Sequence, residues 1–287
     1  MDHADIRYLT AKRSVDERAL SRRVRDRVVE RLPRAPHVVE AGPGVGLSIP
    51  RLLSWGITGG SYRGIEIDPG LVVHARETLP AILRRRGREV VRTPGGCRVE
   101  NLSIAFEVDD AIARLNASSG SDRRADLLIA QSFMDLVAIE DALDAFARTL
   151  VPGGLAYFPI TFDGETIFQP EHPRDEAVVA AYHEAIDAGP DRDSRAGRHL
   201  ADRLRTRDGR LLAMATSDWI VRPRDGEYPD DERYFLRRIL QFVEDALADA
   251  TVEGSDEWLT TRRRQLAAGE LTYVAHGYDL LYRTPEP

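Results

Sequence analysis

Short, nearly continuous apolar runs recur along the chain at residues 37–42 (HVVEAG), 61–68 (SYRGIEID), 103–110 (SIAFEVDD), 125–132 (ADLLIAQS) and 153–162 (GGLAYFPITF). Between them, residues 48–55, 69–86 and 139–150 carry apolar side chains at helical spacing. Runs of this kind are strands buried on both faces, and strands alternating with helices predict a mostly parallel sheet covered on both sides. The expected fold class is therefore α/β, with a doubly wound sheet.

The ends of the chain depart from that alternation. Residues 13–32 place Val15, Leu20, Val24, Val28, Val29 and Leu32 at mostly helical spacing, predicting one amphipathic helix closed by Pro33 and Pro36. Residues 1–36 then form an N-terminal helical segment before a domain spanning 37–287. Beyond 162 the regularity is lost: helices are expected at 175–188 and 196–207, strands at 211–221 and 271–283, and a helical stretch at 230–268. Residues 163–193 and 222–270 read as insertions that cap the core.

The 287 residues suit one core with insertions, and 43% hydrophobic with 30% charged residues describe a globular chain. A formal net charge of −7 gives no overall attraction to phosphate backbones, so nucleic acid is a secondary partner. The basic runs at 84–88 and 262–264 read as solvated surface. The single cysteine, Cys97, is placed in a loop; it forms no internal disulfide, and no zinc-ligand spacing surrounds it. No apolar run approaches a membrane span, and a cytoplasmic location is expected.

Chemistry concentrates at the ends of the apolar runs. In VVEAGPGVGLS (38–48) a strand ends at Glu40, and Gly42, Gly44 and Gly46 follow before a short helix. Glycine is needed where the chain turns sharply and a ligand approaches the backbone, because a Cβ would fill the ligand's volume. Glu66, closing the next strand, can accept from both hydroxyls of a ribose. Asp68 and Pro69 read as the cap and first residue of the following helix. Asp110 with Ala111, or Asp109 in its place, ends the third strand, where an acid can face an adenine amino group or simply cap a helix. Pro152-Gly153-Gly154 reads as a structural turn.

In order and spacing, EAGPGVG, GIEID, VDDA and LVPGG resemble the class I, Rossmann-like S-adenosylmethionine-dependent methyltransferases over about residues 37–162. The resemblance implies a seven-stranded sheet of that type and S-adenosylmethionine as cofactor. It implies cofactor contacts by Gly42, Gly44 and Gly46, with Glu40 near the methionine end, Glu66 on the ribose and Asp110 or Asp109 at the adenine. Gln131 and Ser132 would lie beside the methionine moiety. A dinucleotide fingerprint would want glycine where Leu47 stands, and Glu40 sits better beside a sulfonium than beside a pyrophosphate. AQSFMD (130–135) lacks the Asn/Asp-Pro-Pro of base- and glutamine-modifying relatives, which points to a small-molecule acceptor.

For the acceptor side, His172 in QPEHPRD is the candidate catalytic residue, and His276 reads as a core or edge residue. Tyr8, Lys12 and Arg13 are candidate lid residues and no metal site is assigned. Phe133, Tyr157, Phe158, Phe162 and Phe168, with Tyr182, Tyr228, Tyr234, Phe235 and Trp258 of the insertions, are aromatics that suit a pocket wall. A homodimer interface is the competing use of the insertions. An RNA or protein methyltransferase, a catalytically silent binding scaffold and an NAD-dependent oxidoreductase are the competing functions.

Overall fold

The computed structural model describes residues 5–117, 124–229, 231–248 and 250–286; residues 1–4 of the N-terminal segment lie outside it. That segment folds as three helices, α1 (Ile6–Ala11), α2 (Arg13–Ala19) and α3 (Arg22–Arg31), in place of the single helix expected over 13–32. The break falls at Leu20, which is extended, and Ser21, whose hydroxyl accepts from the Val24 N–H and caps α3. Asp279 fixes this break by accepting from the Ser21 N–H at 2.7 Å.

The core then runs β1 (His37–Ala41), α4 (Ser48–Ser54), β2 (Gly59–Glu66), α5 (Pro69–Arg85), β3 (Val90–Thr93), β4 (Gly96–Val99), β5 (Asn101–Val108), α6 (Ala111–Asn116), β6 (Ala125–Ile129), α7 (Ile139–Thr149) and β7 (Leu150–Gln169). After it come α8 (Asp175–Asp187), α9 (Ala196–Thr206), β8 (Arg210–Thr216), β9 (Trp219–Val221), α10 (Glu232–Leu247), α11 (Ser255–Ala268) and β10 (Thr272–Arg283). The sheet order is β3, β4, β5, β2, β1, β6, β7, β10, β8, with β9 also paired to β10. From β5 to β7 every pairing is parallel, whereas β10 is antiparallel to β7, β8 and β9. This is the expected doubly wound, mostly parallel α/β sheet, but it holds ten strands where seven were expected, because the antiparallel β3–β4 hairpin extends the β5 edge and the strand expected at 211–221 is split in two.

Apolar side chains cover both faces. Val24, Val28, Ile49, Leu52, Val72 and Leu79 pack one side, and Leu115, Leu143, Phe146, Leu200 and Leu204 the other. The β3–β4 hairpin extends the β5 edge and was not legible as strands; Cys97 lies buried on β4, paired with Ile104, and not in a loop. Burial also pushes its thiol pKa up. Pro152-Gly153-Gly154 sits inside β7 as an irregularity, since the pairing to β6 jumps from Leu150 to Leu155. The expected 211–221 strand is split in two at Ser217 and Asp218.

A third apolar cluster forms a cap above the sheet. It joins Tyr8 and Val15 of the N-terminal segment to Val178 and Tyr182 of α8, Phe235, Ile239 and Phe242 of α10, and Trp258 of α11. Tyr8 stacks on Phe235 and meets Phe242 edge-on, with ring centroids 5.7 and 5.3 Å apart. Arg262, expected on solvated surface, is fully buried here: it pairs with Asp175, donates to the Pro170 carbonyl and lies over the Trp258 ring. Among the described residues no helix is long and apolar enough to cross a membrane.

Candidate active site

In an open α/β sheet, ligands bind beyond the carboxyl ends of the strands, where the strand order reverses. Here that point lies between β1 and β6, and a cavity of about 800 Å³ opens there. Its floor follows the strand ends in turn: Glu40 and Gly42 to Val45 after β1, Glu66 to Asp68 after β2, Asp110 to Ile112 after β5, Gln131 to Phe133 after β6, and Ile160 and Phe162 on β7. The cap supplies the roof: Tyr8, Leu9, Lys12, Arg13 and Asp16 from the first two helices, Tyr182 and Ile186 from α8, and Ile239 and Phe242 from α10.

The turn after β1 is built from left-handed glycines, with φ of +65° at Gly42, +55° at Gly44 and +76° at Gly46. A Cβ at Gly42 would strike the Phe133 ring at 2.8 Å, and one at Gly46 would meet Phe106 at 3.0 Å, so a side chain at either would clash with its neighbours. Gly44 faces the cavity, its nearest neighbour being the Leu9 methyl at 3.4 Å from an added Cβ. Gly46 does not line the cavity.

Glu66 is 7% exposed, and its carboxylate accepts from the Gly44 N–H at 2.9 Å and from the Asp68 N–H at 3.2 Å. It therefore ties the glycine turn to the start of α5, which Asp68 caps by accepting from the Leu71 N–H. Beside it Ile67 lines the cavity with 66% of its surface exposed. Asp110 both caps α6 and lines the cavity, whereas Asp109 accepts from the Asp110 N–H and does not line it. Glu40 is nearly fully buried; its Oε2 accepts from Ser48 at 2.5 Å and Tyr62 at 2.7 Å, and burial raises its pKa.

Above β1 and β6 lies a charged cluster. Asp16 accepts from the Trp219 indole N–H at 2.9 Å and from Gln131 at 3.1 Å, with the Lys12 ammonium 3.6 Å away. Lys12 also reaches Ser132 at 3.5 Å, and Gln131 is bonded by Arg51, whose buried Nε has no partner. Burial pushes the Asp16 pKa up against the pull of Lys12 and Arg51. Asp135 lines the same space with one buried, unpartnered carboxylate oxygen, and burial raises its pKa too. Two residues here hold left-handed backbone without being glycine, Ser132 at φ +47° and Ile160 at φ +55°. A β-branched residue in that region is strained; Asp279 holds it by accepting from the Ile160 N–H at 3.0 Å.

The candidate base His172 does not line the cavity. β7 runs on to Gln169, seven residues past the expected strand end, and at about 3.3 Å per residue carries the QPEHP segment some 20 Å along the sheet. His172 there sits at the start of α8, its N–H donating to Asp175 and its Nδ1 accepting from the Arg174 N–H. His276, read as a core or edge residue, lines the cavity instead, with Nδ1 2.7 Å from Asp218. Of the aromatics suggested for the pocket wall, Phe133, Phe162 and Tyr182 line it; Phe168, Tyr228, Phe235 and Trp258 are cap core, and Tyr157 and Phe158 sheet core. Arg51, Asp16, Asp135 and Ile67 escaped the sequence reading. A one-turn offset from the glycine loop was the only signal for Arg51.

No protein-family model matches the chain, and no curated protein matches it in sequence. Among solved structures it is similar to a SAM-dependent methyltransferase from Geobacter sulfurreducens in complex with S-adenosyl-L-homocysteine, at 17% identity and a TM-score of 0.47, over 96% of this chain and 97% of that one. A SAM-dependent methyltransferase from Thiobacillus denitrificans, also with S-adenosyl-L-homocysteine, aligns at 19% identity and a TM-score of 0.45, over 92% of each chain. The cyclase SpnF aligns at 16% identity and a TM-score of 0.46, over 92% of this chain and 81% of that one.

Proposed function

We propose that this protein binds S-adenosylmethionine and transfers its methyl group to a small-molecule acceptor. The observation that carries the reading is the convergence of Glu40, Glu66 and Asp110, each closing or following a parallel strand, with the Gly44 turn along one wall of one cavity. Seven carboxylates and four Lys or Arg cations line that cavity. An excess of acid suits a net-positive sulfonium and opposes a pyrophosphate.

The residues present fit the cofactor. Glu66 and Asp110 would hold the ribose and the adenine, with Ile67 and Ile112 offering apolar surface to the base. At the other end Lys12 and Arg51, the latter with a free buried Nε, suit an α-carboxylate, and Asp16 suits an α-ammonium. When bound, the sulfonium supplies an activated methyl group that a nucleophile displaces directly. The chain's part is then alignment and exclusion of water, worth a large fraction of such a barrier. The cap performs both: the N-terminal helices and the lining faces of α8 and α10 form a lid over cofactor and acceptor, and the mixed aromatic and polar wall selects a small, largely apolar molecule.

Incubation with isotopically labelled S-adenosylmethionine and a fractionated small-metabolite extract, followed by mass analysis, tests the reading. Label in a small molecule is the expected result. Label only in RNA or protein, or no transfer with any fraction, counts against it.

A further inference from the structure

At the level of His276 the sheet loses its regularity on both sides. On β7 the pairing jumps from Thr166 opposite Ala275 to Phe162 opposite Gly277, leaving Asp163, Gly164 and Glu165 against His276 alone. Gly164 turns there with φ of +71°. On the other side β8 ends at Thr216 and β9 begins at Trp219, so Ser217 and Asp218 stand outside either strand. Such irregularities re-aim side chains and gather next to active sites.

Each break delivers an aspartate to one imidazole. Asp218 Oδ1 lies 2.7 Å from Nδ1, and Asp163 Oδ2 lies 4.0 Å from Nε2, beyond hydrogen-bond reach. Asp163 is itself buried and held by Arg198, which donates from its backbone N–H at 2.7 Å and from Nε at 3.0 Å. Tyr278 closes the remaining side, its ring centroid 4.9 Å from that of His276. In the tautomer that donates Nδ1–H to Asp218, the lone pair sits on Nε2. His276 is the only histidine among the described residues that line the cavity, and Phe162 and Trp219, which pair with Gly277 and Ala275 on either side of it in β10, line the cavity too.

We propose that His276 is the general base of this site, with Asp218 as its positioning residue, and that the acceptor is a planar apolar molecule carrying an acidic hydroxyl, a phenol or an enol. The proposal rests on the methyl-transfer reading. The hydroxyl oxygen attacks the methyl carbon, the carbon–sulfur pair leaves on sulfur as a neutral thioether, and the hydroxyl proton passes to Nε2. The imidazolium formed is stabilised by Asp218 and Asp163. A phenol lies within about 4 pH units of imidazole in acidity, close enough for concerted removal, whereas an aliphatic alcohol does not. The developing phenolate is drawn to the sulfonium; an ammonium acceptor would be repelled by it. The aromatic wall suits a flat body.

The test uses 4-nitrophenol as the probe on the full chain, without cofactor, below the pH at which the free probe ionises. A saturable phenolate absorbance band is expected with the wild type, falling at least about tenfold in His276→Asn while that variant still binds S-adenosylhomocysteine. A second arm offers phenols, amines and thiols with S-adenosylmethionine. Methyl ethers are expected, with kcat reduced about 10²- to 10⁴-fold in His276→Asn at little-changed KM. Asp218→Asn should flatten or displace the acidic limb of the wild-type pH profile. An undiminished band in His276→Asn, or products methylated only on nitrogen or sulfur, overturns the proposal. Probe ionisation without S-adenosylhomocysteine binding defeats the methyl-transfer reading alone, whereas cofactor binding without probe ionisation defeats the base alone.

Discussion

Glu66 holds the glycine turn and, in the proposed function, the ribose with the same two oxygens. Removing it in Glu66→Ala should weaken S-adenosylhomocysteine binding by about 1.5 to 3 kcal/mol, the worth of charge-assisted hydrogen bonds, as read by titration calorimetry. Unchanged affinity in a folded variant would move the ribose site elsewhere. Gly44→Val should abolish binding for two separable reasons, a strained φ of +55° and a branched side chain standing in the cavity. Normal binding by that variant would mean that the ligand does not lie on the turn. These residues were legible because left-handed turns and strand-end acids leave marks over a few neighbouring positions. Asp16, Asp135, Arg51 and His276 were not, because each acquires its meaning from a partner or a cavity formed across distant parts of the chain. Asp218 and His276, for example, are 58 residues apart.

Among the elements, β10 and the N-terminal segment share one buried group. Asp279 is fully buried and accepts from Ser21, Ile160 and Tyr157, and burial lifts its pKa from the ordinary 3.8 to about 6. A raised folded-state value means that the folded protein holds the proton more tightly than the unfolded chain. The contribution is fully present below about pH 4 and is lost as pH rises through about 6, on the order of 3 kcal/mol in all. Urea unfolding at pH 4.5 and 7.5 checks this: the stability advantage of wild type over Asp279→Asn should be about 2 kcal/mol larger at pH 4.5. A gap independent of pH would contradict the assignment. The helices and central strands were legible from periodicity, but the break at Leu20 and Ser21 was not, because a tertiary bond from β10 fixes it. The length of β7 was hidden for a similar reason, since its outer half pairs with β10 some hundred residues later.

In the proposed function α1, α2, α8 and α10 close over the cavity together. Ser14 and Arg18 of α2 both bond the fully buried Glu232 at the start of α10, and Asp5 accepts from Tyr234, so the N-terminal helices and α10 should move as one. Hydrogen exchange with S-adenosylhomocysteine should slow in residues 5–19 and in the cavity-facing turns of α8 and α10, leaving α11 unchanged. Protection that follows protein concentration and ignores the ligand would favour a dimer interface over a lid.

For the whole molecule, the doubly wound class could be read from the alternation of apolar runs, whereas the shape of the cavity depended on a cap whose core the sequence left irregular. The account stands on what that cavity holds. Titration calorimetry of the full chain with S-adenosylhomocysteine and, separately, with NAD measures this directly. The account predicts one S-adenosylhomocysteine per chain at micromolar affinity and no heat from NAD; saturable binding of NAD, with none of S-adenosylhomocysteine, would contradict it.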